Sequence, residues 1–216
     1  MRGFTLIELM TVLGIIGVVS SIGILAISGM KKRGNFSGAS TQFVTSLRRV
    51  RAEAFSRGLP TVLVVDAGNH RYWGLADVGG DFDIAQFDIA NPQTPLNHPA
   101  SGDDVVLLDE TLGATGAGTT ATGVYFGPSS GYGSALAPPY NTFTGWNSAC
   151  NVCLAGSKLG AIVFEPNGGA SFSNGVTDGA LITIQGDLAG TSGHGSLTTL
   201  VIGRTGSSES FERGFR

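Results

Sequence analysis

Charged side chains are scarce in this chain: Asp, Glu, Lys and Arg make up only 13% of its 216 residues. Histidine is rarer still, with three residues, and there are only two cysteines. No Gly-rich phosphate loop carries a Lys, and no Ser-His-Asp signature is present, so nothing points to an enzyme. His70, His98 and His194 are not spaced as a ligand pair, and a structural zinc site needs four ligands. Asp77, Asp81 and Asp83 do not match an EF-hand spacing and read as surface turn carboxylates. No cofactor is implied. After residue 58 no segment of helical length is periodic, and the 34 glycines point to turns and strands instead.

The longest absence is at the amino terminus. From Leu9 to Met30 there is no charge at all, and Lys31, Lys32 and Arg33 end the run. As a helix these 22 residues reach about 33 Å, against a hydrocarbon core of about 30 Å. This predicts a membrane-spanning helix over residues 4–30. A buried soluble helix is seldom so long and so apolar. A cleaved secretory signal would have an h-region of about 7–15 residues and small residues after it. Glu8 sits near the start of the run, where an acid costs less than the roughly 2.5–3.5 kcal/mol of mid-bilayer. It either snorkels to nearby headgroups or pairs with a cation from another chain.

The segment Gly3-Phe4-Thr5-Leu6-Ile7-Glu8-Leu9 resembles the processing site of type IV prepilins and pseudopilins. The resemblance implies a leader, residues 1–3, removed by a prepilin peptidase between Gly3 and Phe4. It implies N-methylation of Phe4, and it makes Glu8 the assembly residue that neutralises the amine of a neighbouring subunit. The leader is short, and the helix lacks the proline that kinks many pilins; Gly14, Gly17, Gly23 and Gly29 are the residues that would soften it. Three cations follow the helix and one precedes it, which by the positive-inside rule alone would leave the head in the cytoplasm. The resemblance implies the opposite: an inner-membrane precursor, single-pass, with its head in the periplasm.

Charge is also divided. Residues 1–58 hold eight Lys/Arg and two Glu, about +6, and residues 59–216 hold five Lys/Arg and fourteen Asp/Glu, about −9. An acidic head repels nucleic acid. Within residues 31–58, Phe36, Ser40, Phe43, Leu47, Val50 and Ala54 form one helical stripe, and Gly58-Leu59-Pro60 is a stop signal. The stem is therefore expected to continue as an amphipathic helix lying on a sheet. Strands are predicted at 61–65, 71–75, 105–108, 123–126, 161–164, 180–185 and 197–202, with a hairpin over Asp66–His70. The fold class is α+β, a long helix packed on an antiparallel head spanning 59–216.

Three further stretches resemble the GspH/FimT group of minor pilins: Arg51-Ala52-Glu53-Ala54 at the stem's end, Phe164-Glu165-Pro166-Asn167-Gly168, and Leu200-Val201-Ile202-Gly203-Arg204. Residues 77–104 and 127–158 read as insertions. The aromatics of Phe82-Asp83-Ile84-Ala85 and Phe87-Asp88-Ile89-Ala90 either face a partner or tuck into a small core of the loop. Cys150 and Cys153 have neither a thioredoxin-like setting nor zinc partners; in an exported head they predict a disulfide, which on so short a loop contributes only about 2 kcal/mol. The leading function is a structural subunit that primes or caps a type IV pilus or a type II secretion pseudopilus, with other pilins as partners through the stem. The alternative is a DNA-binding minor pilin using Arg204, Arg213 and Arg216. A third reading is an unrelated single-span protein whose head binds an extracellular ligand.

Overall fold

The computed structural model describes residues 5–80, 82–84, 104–113, 123–127, 150–156, 158–186 and 197–213; of residues 22–33, 212 and 213 only the backbone is described. Helix α1 runs unbroken over Leu6–Arg57, 52 residues or about 78 Å. The glycines expected to soften it do not interrupt it. Thr5 precedes it in an extended conformation, and Gly58 ends it at φ 65°, its N–H donating to the Ala54 carbonyl at 3.0 Å. This left-handed turn is one that glycine makes without steric cost.

Beyond it the described head is all β. The strands are β1 (Thr61–Asp66), β2 (Arg71–Ala76), β3 (Val105–Thr111), β4 (Val124–Phe126), β5 (Leu159–Phe164), β6 (Ala170–Phe172), β7 (Gly179–Gly186), β8 (Leu197–Gly203) and β9 (Ser208–Arg213). They form two antiparallel sheets, ordered β3-β2-β1-β5-β6 and β4-β7-β8-β9. The predicted hairpin joins β1 to β2, with Asp66 Oδ1 accepting from the Gly68 and Asn69 N–H groups. Strands β6 and β9 were not expected. β6 is three residues long, too short for alternation to register, and β9 (Ser-Glu-Ser-Phe-Glu-Arg) carries one apolar residue.

The helical stripe is the spine of the core. Phe36, Ser40, Phe43, Leu47, Val50 and Ala54 are all buried, the last four completely. They pack on Leu63, Val65, Tyr72, Ile162 and Phe164 of the first sheet and on Phe126, Ile182, Ile184 and Leu200 of the second. One helix thus closes both sheets. The outer face of the first sheet holds a second cluster, Val62, Val64, Trp73, Leu75, Ala161 and Val163, against which Phe82 and Ile84 pack. These two loop residues cap the outer face of the sheet. Phe87 and Ile89 lie outside the described residues.

Asp77 corrects an expectation. It is a buried carboxylate, 4% exposed, accepting from Gly80 N–H at 2.7 Å and Phe82 N–H at 3.4 Å. It closes the turn leaving β2, and backbone donors there offset its desolvation. Asp83 is exposed, and Asp81 lies outside the described residues.

Candidate functional site: the exposed stem and its junction with the head

The amino-terminal part of α1, residues 6–21, is exposed throughout. Its large apolar side chains are exposed all round, from Leu6 at 78% to Val12 at 47%. Covering one such side chain contributes about 1.5–3 kcal/mol. A surface of this extent on one helix demands a lipid or protein cover. Glu8 lies in the first helical turn and is itself exposed, its N–H donating to the Thr5 carbonyl at 3.1 Å. The helix dipole favours a negative charge at that end. Among the described residues no helix is long and apolar enough to cross a membrane. The fully described part of the predicted span, Leu6–Ser21, is followed by residues of which only the backbone is described.

At the other end the stem is locked to the head. Thr61 Oγ1, fully buried, donates to the Val50 carbonyl at 2.9 Å. Gly74 of β2 lies directly beneath Val50: a Cβ there would sit 2.5 Å from Val50 Cγ2. Around Glu110 of β3 a polar network forms that the sequence reading missed. Its Oε2 accepts from Tyr72 Oη at 2.5 Å, Ser46 Oγ at 2.9 Å and Gln42 Nε2 at 3.1 Å. Burial, and then the bond to Glu110, push the Tyr72 phenol far above its ordinary value, so it stays protonated. The available signal was the alternation of β3, which points Glu110 to the same face as Leu108 and hence toward α1.

The chain's residues 1–24 match the family model described as the prokaryotic N-terminal methylation motif. This amino terminus is that of a type IV pilin-like protein. The match extends over the motif and the first part of the stem only, and no curated protein and no solved structure matches the chain. The motif implies processing by a prepilin peptidase and membrane-anchored assembly with other pilins. Gly3 and Phe4 lie outside the described residues; Glu8 is the motif residue whose setting is visible.

Cys150 and Cys153 are joined by a disulfide, with S–S 2.16 Å. The loop it closes has a larger task than pinning itself. Cys150 forms a bridge with Ile182 of β7, and Asn151 Oδ1 accepts from Leu181 N–H at 2.7 Å while its Nδ2 donates to the Gly179 carbonyl. On the other side, Ser173 Oγ donates to the Val152 carbonyl at 2.6 Å and accepts from Ala161 N–H of β5 at 2.8 Å. The loop is therefore a joint between the two sheets of the head. The sequence reading of the two cysteines did not anticipate this role for Asn151 between them.

Of the cations proposed for nucleic acid, Arg204 alone has a described side chain. Arg204 donates to the Thr177 carbonyl and lines a hollow of about 370 Å³ with Glu165 and Asn167. Arg213 pairs by its backbone with Leu197, and Arg216 lies outside the described residues. Arg51 Nη2 donates to the Thr205 carbonyl at 2.9 Å, holding the β8–β9 turn to the stem. Among the described residues no three His, Cys, Asp or Glu side chains are grouped as metal ligands.

Proposed function

We propose that this chain is a minor pilin or pseudopilin of the GspH/FimT kind, a structural and non-catalytic subunit that primes or caps a type IV pilus or a type II secretion pseudopilus. The observation that carries the reading is the stem: an apolar helix exposed on every side, bearing one acid in its first turn, and continuous with the helix at the centre of the head. The methylation motif supports the same reading. The precursor rests in the inner membrane with the head in the periplasm. Prepilin peptidase cuts between Gly3 and Phe4, and the Phe4 amine is methylated. On assembly the stem exchanges lipid for the stems of other subunits, and Glu8 pairs with the amine of a neighbour.

Glu8→Ala tests this. In the lone subunit Glu8 is exposed, so its loss leaves insertion, cleavage and head folding intact. In a fibre its removal strands the neighbour's buried amine, at a cost of about 3–5 kcal/mol. The variant is expected in the membrane fraction and depleted from sheared fibres. Equal incorporation of variant and wild type would refute the role of Glu8.

A further inference from the structure

Strand β6 ends the order of the first sheet, so one of its edges has no neighbouring strand. Its pairing with β5 fixes which groups lie on that edge. Glu165 N–H donates to the Gly169 carbonyl at 2.9 Å, and Ser173 N–H to the Ala161 carbonyl at 3.1 Å. The odd-numbered residues of this stretch therefore bond to β5. In an antiparallel ladder the residues between them turn their N–H and C=O groups the other way. Ala170 does so, its N–H donating to the Arg204 carbonyl at 2.7 Å. The Ala170 C=O and both backbone groups of Phe172 face the same side, with no partner among the described residues. Both residues line the hollow of about 370 Å³ already described, a volume in the range of about 300–1,000 Å³ of ligand pockets. Phe172 is 7% exposed, so its outward backbone groups depend on that hollow for a partner.

The open edge is blocked at one end, and the block carries a charge. The Arg204 carbonyl already occupies the Ala170 N–H, so a chain laid along β6 cannot continue past Arg204. Arg204 Nε donates to the Thr177 carbonyl, which ties the guanidinium to the wall of the hollow. Its two terminal amino groups have no partner among the described residues. Glu165 lines the same hollow, and among the described residues it makes no ion pair with Arg204. An extended segment added to a sheet edge is held by main-chain hydrogen bonds. Where that segment must stop, the guanidinium is matched by a carboxylate, which accepts two parallel N–H bonds. The end of a polypeptide is both a stop and a carboxylate. A nucleic-acid strand matches less well, because Glu165 repels its phosphates and it has no peptide groups for the edge.

We propose that the outer edge of β6 and the Arg204 guanidinium together bind the extended carboxyl terminus of a partner polypeptide. The last residues of the partner add to β6 as a short strand. Phe172 N–H donates to a partner carbonyl, and the Ala170 and Phe172 carbonyls accept from partner N–H groups. The terminal carboxylate accepts from the two free amino groups of Arg204. Half-buried Val176 gives the last side chain of the partner an apolar wall. The site belongs to the head and stands whether or not the stem has the role proposed above.

The test immobilises the full-length chain in detergent and offers it pools of randomised pentapeptides, with retained peptides counted by mass spectrometry. One pool has free carboxyl termini, a second is amidated, and a third is amidated with a glutamate at its centre. A single-stranded oligonucleotide is offered separately. The free-carboxylate pool should be retained at least tenfold over both amidated pools. Arg204→Gln should abolish that preference. Thr177→Trp, at an exposed position on the wall, keeps the carbonyl that holds Arg204 and fills the hollow; it should lower retention about tenfold. Protease resistance of the head reports folding, and if Arg204→Gln loses it, Thr177→Trp alone decides. Equal retention of the amidated pool would overturn the terminal carboxylate, and preference for the central glutamate would overturn a chain end as its source. Oligonucleotide binding lost in the same variants would assign the site to nucleic acid and overturn the proposal. Retention indifferent to both variants, or no retention of any pool, would overturn it too.

Discussion

Gly74→Ala probes the contact on which the position of the stem depends. The added methyl would lie 2.5 Å from Val50 Cγ2 and 3.3 Å from Leu108 Cγ. Ordinary carbon contacts are about 3.5–4.0 Å. Val50 is fully buried, and a helical valine keeps one χ1 rotamer about 90% of the time, so Cγ2 has little room to turn away. Either Val50 leaves its rotamer, at about 0.5–1.5 kcal/mol, or the helix lifts from β2. Overpacking of this kind costs about 1–3 kcal/mol. Against it stands the gain of about 0.5–1 kcal/mol when alanine replaces glycine inside a strand. The net expectation is a loss of about 1–2 kcal/mol. Val50→Ala alone removes two methyls, at about 0.8 kcal/mol each. In the double variant the new methyl at 74 occupies the space vacated at 50, so the combined loss should fall short of the sum by about 1 kcal/mol or more. The assay is urea unfolding of the full chain in detergent, followed by tryptophan fluorescence, with Trp73 adjoining the site. Strict additivity, or a neutral Gly74→Ala, would show that α1 does not rest on β2 at this point.

Mass spectrometry of the assembled subunit should find Phe4, methylated, at its amino terminus; an intact Met1 in fibres would contradict the proposed processing. Cys150→Ser is expected to lower stability by about 2 kcal/mol, and hydrogen exchange should rise at both flanks of the joint, around Leu181 and Ala161; protection lost on one side alone would refute the joint. Glu110→Ala leaves the buried Tyr72 and Ser46 hydroxyls without an acceptor and should cost about 2–4 kcal/mol in urea unfolding. The Tyr72 phenol binds its proton more tightly in the folded head than in the unfolded chain. Its contribution is therefore fully present below the ordinary tyrosine value of about 10 and is lost as pH rises above it. Tyr72→Phe should flatten that alkaline decline, and an unaltered slope would count against the buried pair.

What the sequence determined alone is periodic. The stripe from Phe36 to Ala54 steps by three and four, and those six residues are the buried face of the helix. Gly58 before Leu59-Pro60 marked the stop, and the left-handed turn falls there. Seven strands were legible because alternation and turn residues persist over several positions. The motif around Glu8 was legible because it is local: Gly3, an acid five residues on, and an uncharged run behind it. Tertiary structure decided what depends on residues distant in the chain. Strands β6 and β9 pair by register with β5 and β8, and their own residues are too few or too polar to announce them. Asp77 is buried because β2 and the turn after it fold over the carboxylate and supply backbone donors. The Tyr72–Glu110 pair meets Ser46 and Gln42 across more than sixty residues of sequence in the case of the helix. The cysteine loop joins two sheets only because β5 and β7 flank it in space. Periodicity and capping are properties of neighbouring residues, whereas burial of a polar group is a property of whatever the fold brings to it.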